Sequence, residues 1–276
     1  MSASTSVTLD VVQVTTRRGI DAEVLVGGPI DGTAVVFLHG FAGHLGGEPM
    51  LVNLTGAGYR VYAPVWPGYS DTGGEDRIDD MLDFALHGAD VVDALGLGDD
   101  SAPHLIGHSM GGMIAAEMAA LSPRSYDRLV LLAPLGLWLD EHPMVDIYTQ
   151  LPFEFPPLLF HDVKIGTEML AGGGIDFNDR DAIQRFLIGN SRRLGTAGKI
   201  LFPIPNRRLS KRLYRITNPT LLLWGDADKL MPAPYAHAWA AALPHATSAT
   251  IAAAGHMLTH EQPDATSAAI ASFLHG

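Results

Sequence analysis

The sequence predicts an α/β protein: a mostly parallel sheet of eight strands flanked by helices, with a helical insertion set over the sheet's C-terminal edge. Three observations point there. Short runs of β-branched and aliphatic residues, each closed by Gly or Pro, recur along the 276-residue chain. From Thr33 onward they alternate with stretches of helical periodicity, as βα units with parallel strands require. Between residues 137 and 216 that rhythm breaks, and it resumes with PTLLLW.

In chain order, VTLDVVQVTT and AEVLVGG read as a hairpin, and TAVVFLHG as a strand ending near Gly40. YRVYAPVWPG, APHLIGHS, RLVLLAPLG, PTLLLWGDAD and TSATIAAAGH follow as continuous apolar strands of the kind buried on both faces. Between them, the stretch from Arg77 to Leu95 spaces Ile78, Met81, Leu82, Ala85, Leu86, Ala89 and Val92 by threes and fours. That stripe predicts a helix covering one sheet face. Further helices are expected from Met110 to Leu121, from Pro234 to Leu243 and from Pro263 to Leu274, the last packed on the sheet edge.

Residues 1–136 and 217–276 are therefore assigned to one core domain and 137–216 to a helical cap. The cap stretch carries PFEFPPLLF, a glycine run AGGGID expected to be flexible, and basic residues Arg207, Arg208, Lys211, Arg212 and Arg215. An insertion between two core strands lies over their C-terminal ends, where open α/β sheets hold ligands.

Composition narrows the function classes. Hydrophobic residues make up 47% and charged residues 17%, the balance of an ordinary packed domain. With 18 basic against 30 acidic residues, the net charge of −12 repels a phosphate backbone, so nucleic acid is not an expected partner. The absence of cysteine removes disulfides and thiolate metal sites and fits a reducing compartment. MSASTSVTLD has neither the basic start nor the apolar run of a signal peptide, and no stretch approaches the roughly 20 apolar residues of a membrane span. A soluble cytoplasmic protein, monomeric or homodimeric and without membrane contact, is expected.

The strongest chemical signal is Gly107-His108-Ser109-Met110-Gly111, which follows an apolar strand and opens the helix MGGMIAAEMAA. Two glycines flanking a serine allow a sharp strand-to-helix turn, because missing Cβ atoms let neighbouring backbone approach. The helix start also leaves free N–H groups, Met110 among them, and a positive dipole end where an oxyanion would form. A serine hydroxyl needs a base, and the base an orienting acid. Gly225-Asp226-Ala227-Asp228 and His256 each follow an apolar strand, so carboxylate and imidazole emerge at neighbouring strand ends in the chain order Ser, Asp, His. Metal motifs fail: His104 and His108 lie four apart along a strand, too far for one ion, and His260-Glu261 lacks the second histidine of H-E-x-x-H. A phosphate-binding GxxxxGK[ST] loop is absent.

Taken together, LHGFAG, GHSMGG, WGDADKLMP and AGHMLTHEQP make nearly the whole chain resemble the α/β-hydrolase superfamily, in its esterase and meta-cleavage-product hydrolase branch. The resemblance implies that Ser109 is the nucleophile, Asp228 rather than Asp226 the acid, and His256 the base. It implies that His39 fixes the oxyanion loop, and that the backbone N–H groups of Phe41 and Met110 hold the oxyanion, each worth about 3 kcal/mol in barrier height. No cofactor is implied. Acyl transfer to water on a small carboxylic ester is the expected reaction, with Trp138, Phe153, Phe155, Leu158, Leu159 and Phe160 as candidates for an apolar substrate pocket. Lactone or enol-lactone hydrolysis, carbon–carbon cleavage of meta-ring-fission products and cofactor-free perhydrolysis stay compatible, whereas a serine nucleophile disfavours epoxide opening and dehalogenation. Met257 stands where carbon–carbon hydrolases typically carry Trp. The alternative of another class is a ligand receptor that retains the same three residues.

Overall fold

A computed structural model of the chain describes residues 9–45, 47–98, 101–170, 178–243 and 245–276; the AGGGID run lies outside them. The described residues form one sheet of eight strands: β1 (Asp10–Thr15), β2 (Asp21–Gly27), β3 (Ala34–Leu38), β4 (Arg60–Pro64), β5 (His104–His108), β6 (Leu129–Leu132), β7 (Thr220–Gly225) and β8 (Ala246–Ile251). Their spatial order is β1-β2-β4-β3-β5-β6-β7-β8. β1 and β2 form the expected hairpin, β2 pairs antiparallel with β4, and every pair from β4 to β8 is parallel.

The apolar strands alternate across the sheet as a pleat demands. Val36, Leu38, Leu105, Leu131, Leu222 and Trp224 join one core with α2 (Met81–Ala94), α3 (Met110–Leu121) and α7 (Ala233–Ala242). Val35, Phe37, Ile106, Val130, Leu221 and Leu223 join a second core with α1 (Pro49–Gly56), α8 (Leu258–Glu261) and α9 (Pro263–His275).

Three expectations need correction. α9 lies on the second face beside α1, with Ile270 and Leu274 in that core, and not on the sheet edge. β8 is the edge strand, and Thr247, Ser248, Ala249 and Thr250 are exposed; an edge strand needs apolar residues only where a helix covers it. The expected helix from Arg77 begins at Met81, because the Asp80 carboxylate accepts from the Leu82 and Asp83 N–H groups and ends the turn there. Leu82 and Leu86 face solvent. α1 was not anticipated.

Between β6 and β7 the chain forms α4 (Phe155–Leu159), α5 (Val163–Leu170) and the 22-residue α6 (Arg180–Leu201). Charge pairs tie this stretch to the rest of the chain. Arg192 forks onto the Glu75 carboxylate at 2.6 and 3.0 Å, and Lys199 Nζ donates to the carbonyls of Glu75 and Ile78 at 2.6 Å. Of the basic run, Arg212 pairs with Glu117, a buried carboxylate on α3, and Arg215 donates to the Ala120 carbonyl. Those arginines dock the stretch on α3. Among the described residues no helix is long and apolar enough to cross a membrane.

Candidate active site

The strand order reverses between β3 and β5: β3 leads to β4 on one side, and β5 leads to β6 on the other. Open α/β sheets form their crevice at such a switch point, beyond the carboxyl ends of the strands. His39, Gly40 and Phe41 follow β3 there, and Ser109 follows β5.

Ser109 has φ 57° and ψ −117°, a left-sided backbone conformation rare for a residue with a Cβ. Its neighbours hold it there by close approach. A Cβ at Gly107 would stand 2.4 Å from the Gly111 carbonyl oxygen, and one at Gly111 would stand 2.0 Å from the Leu38 carbonyl oxygen. The turn therefore closes only with glycine at both positions, and it leaves Oγ at the head of α3. Gly40 packs directly against it, its hypothetical Cβ 3.0 Å from that of Ser109.

His256 bridges hydroxyl and carboxylate. Its Nε2 lies 2.8 Å from Ser109 Oγ and its Nδ1 lies 2.8 Å from Asp228 Oδ2, with both side chains of the His–Asp pair almost fully buried. The other oxygen, Asp228 Oδ1, accepts from the Met231 N–H at 2.8 Å, which fixes the carboxylate plane. Asp226 Oδ1 instead accepts from the Ala254 N–H at 3.3 Å, on the loop that follows β8. An imidazole so placed can take the hydroxyl proton through Nε2 while Nδ1–H stays bound to the carboxylate.

The loop after β3 is fixed through its carbonyls. His39 Nδ1 donates to the Gly40 carbonyl at 2.8 Å, while its Nε2 accepts from the Trp66 N–H at 3.1 Å. Burial, reinforced by nearby His44, holds His39 well below the usual histidine range and so keeps the neutral ring this arrangement needs. In a trans peptide the carbonyl and N–H point opposite ways, so the Phe41 N–H is turned away from the His39 ring. Tyr69 Oη donates to the Phe41 carbonyl at 3.0 Å and Arg193 to the Ala42 carbonyl at 3.1 Å. Met110, the first residue of α3, supplies a second amide at the helix head.

His108, which the sequence offers only as half of a failed metal pair, donates through Nε2 to the His256 backbone carbonyl at 2.8 Å. Burial, followed by the neighbouring His256 charge, pushes His108 well below the usual histidine range. Gly255 N–H is held in turn by the Glu261 carboxylate at 2.7 Å. The loop bearing His256 is thus pinned by Asp226, His108 and Glu261. No motif in the sequence announces these contacts, since they join distant segments.

The cavity around Ser109 measures about 20 Å³ and is lined by Gly40, Phe41, His108, Leu135, Ile147, Phe155, Leu159, Leu230, His256 and Met257, with Glu48 and His260 also on its wall. Of the expected pocket residues, Phe155 and Leu159 line it, Phe155 stacking on Phe41 with ring centres 6.2 Å apart. Trp138 lies in a neighbouring pocket and donates to Asp140 Oδ1 at 2.9 Å. Phe153 is 71% exposed on the outside, Leu158 is half-buried away from the cavity, and Phe160 is buried in the core against Gly166. Clustering in PFEFPPLLF could not separate them, because a short helix turns successive side chains to different sides. Among the described residues no group of three or more His, Cys, Asp or Glu side chains is placed to hold a metal ion.

The chain is similar to proteins already known. The chain is 27% identical over 248 residues to the dihydrolipoyllysine-residue acetyltransferase component of the acetoin cleaving system of Cupriavidus necator, covering 88% of this chain and 63% of that protein. It thus spans less than two thirds of that relative's length. It is 29% identical over 265 residues to 2-hydroxy-6-oxo-6-phenylhexa-2,4-dienoate hydrolase of Burkholderia cepacia, covering 88% of each. The crystal structure of carboxylesterase CesB from Bacillus subtilis superposes with a TM-score of 0.68 at 23% identity, over 96% of this chain and 91% of that one. Residues 35–269 match the model of the alpha/beta hydrolase family. With most of its length matched and its sheet and strand-end residues arranged as described, the chain belongs to the alpha/beta hydrolase family.

Proposed function

We propose that the chain is a serine hydrolase that cleaves small carboxylic esters through an acyl-enzyme intermediate, with Ser109 as nucleophile, His256 as base and Asp228 as the acid that orients it. The observation that carries this reading is the pair of 2.8 Å contacts that make His256 a bridge between Ser109 Oγ and Asp228. Ser109 Oγ attacks the ester carbonyl as its proton passes to His256 Nε2, and the backbone N–H groups of Met110 and Phe41 receive the oxyanion. Collapse expels the alcohol, which takes that proton. Water, deprotonated by the same imidazole, then releases the carboxylic acid and restores Ser109. Residues 137–216 act as a cap in this reading, supplying Ile147, Phe155 and Leu159 to a small apolar wall.

A second reading, carbon–carbon hydrolysis of a meta-ring-fission product, is favoured by the 29% identity to the Burkholderia cepacia hydrolase. Met257 after the base speaks against it. Short-chain nitrophenyl esters and a ring-fission product assayed side by side decide between the two. Wild-type protein is expected to turn over the esters faster, to label with a fluorophosphonate, and to lose both properties in Ser109→Ala, kcat falling by a factor on the order of 10⁴ or more. Faster turnover of the ring-fission product would select the second reading. Absence of both turnover and labelling would leave a ligand receptor.

A further inference from the structure

One carboxylate in the Ser109 cavity has no part in the chemistry above. Glu48 is 2% exposed, lies on the cavity wall with His260, and has one oxygen, Oε2, without a hydrogen-bond partner among the described residues. Its surroundings account for the other oxygen only. His44 Nδ1 lies 3.1 Å from Oε1, and His44 Nε2 faces the Pro64 carbonyl at 3.3 Å. His260 Nε2 lies 3.9 Å from Oε2, but its hydrogen is given to the Leu45 carbonyl at 2.7 Å, while His260 Nδ1 faces the Thr259 hydroxyl at 2.9 Å. Glu48 also immediately precedes α1, and its side chain makes no bond to the first-turn N–H groups there. A buried carboxylate oxygen left without a donor is costly, and native proteins keep few of them.

We propose that Glu48 is a recognition subsite for a hydrogen-bond donor, a hydroxyl or an ammonium group, carried by the ester close to its reacting carbonyl. This rests on the esterase reading of Ser109. A donor of that kind completes the hydrogen bonding of Oε2 inside the cavity, whereas an alkyl group leaves it unpaired. Sites built to bond a substrate donor reject analogues that lack it far more strongly than apolar pockets reject a missing methylene. An anionic substrate is repelled by the same carboxylate, which sets this cavity against carboxylate-bearing acyl groups.

The test uses matched esters: nitrophenyl butanoate against its 3-hydroxy and 3-amino counterparts and nitrophenyl hemisuccinate, for a donor or an anion on the acyl side; propyl butanoate against 2-hydroxyethyl butanoate, for the alcohol side. Wild-type kcat/KM is expected to favour a donor-bearing ester over its plain match by about tenfold or more in at least one series, and to place the hemisuccinate last. In Glu48→Gln that ratio is expected to fall towards one. A ratio near one in wild type for every pair, or an equal ratio in wild type and Glu48→Gln, would overturn the proposal. Should Glu48→Gln not fold, or should wild type hydrolyse none of the esters, calorimetric titration of Ser109→Ala with 2-hydroxyethyl and propyl butanoate decides: tighter binding of the hydroxy ester supports the subsite and equal binding overturns it. Absence of all ester turnover in wild type would refute the esterase reading separately.

Discussion

His87 offers a measurement of how dry the first core is. Its ring is 1% exposed on α2, beside Trp66, and neither nitrogen has a partner among the described residues. Burial, with a smaller contribution from the Arg18 charge, pushes its pKa down to about 4 from an ordinary value of about 6.5. The folded protein therefore resists protonation that the unfolded chain accepts. As pH falls through about 6.5 the unfolded state takes up a proton first, so stability is lost on acidification, down to about pH 4 where the folded ring protonates too. Linkage with these two values gives a loss of about 2 kcal/mol between about pH 7.5 and about pH 5, out of about 3 kcal/mol in all. Urea unfolding of wild type and His87→Leu at both pH values, followed by tryptophan fluorescence, isolates it. His39 and His108 titrate in both proteins, so only the His87 contribution survives the double difference. Wild type is expected to lose about 2 kcal/mol more than the variant on acidification. Parallel losses in the two proteins would refute the assignment of a desolvated neutral ring.

Two further predictions concern the site and its frame. Asp228→Asn is expected to lower kcat by a factor on the order of 10⁴, while Asp226→Asn, whose carboxylate holds the Ala254 N–H of the loop after β8 and does not touch the imidazole, costs less than about tenfold; the reverse order in an ester assay would exchange the two roles. Gly111→Ala drives a Cβ to 2.0 Å from the Leu38 carbonyl and is expected to lose about 3 kcal/mol or more, whereas Gly189→Ala on α6, with open space around it, should gain about 0.5–1 kcal/mol; equal denaturation midpoints for the two variants would contradict the account of the tight turn.

The strand-rich half of the fold was legible because β3, β5, β6 and β7 are apolar on both faces, and GHSMGG sits where strand becomes helix. α1 escaped because eight residues with a glycine at the end carry little periodicity, and its Met50, Leu51 and Leu54 are recognisable as core only against α9. β8 was read as apolar although its middle is Thr247, Ser248, Ala249 and Thr250; edge position, which decides burial, is a property of the sheet and not of the strand. At the site, Ser109, His256 and Asp228 were named from local motifs. The bond from His108 to the His256 carbonyl, the grip of Tyr69 and Arg193 on the loop after β3, and the isolation of Glu48 Oε2 were not, since each depends on segments far apart in the chain.

The three pins on the loop after β8 uncouple it mechanically from the strand it follows. Among the described residues β8 has a neighbouring strand on one side only, which leaves its outer amides open to exchange and its margin to fray. Ala254, Gly255 and His256 are anchored to Asp226, Glu261 and His108, all on other segments, so that looseness at the rim need not reach the imidazole. Fast hydrogen exchange along β8 can then coexist with a base held in register with its hydroxyl.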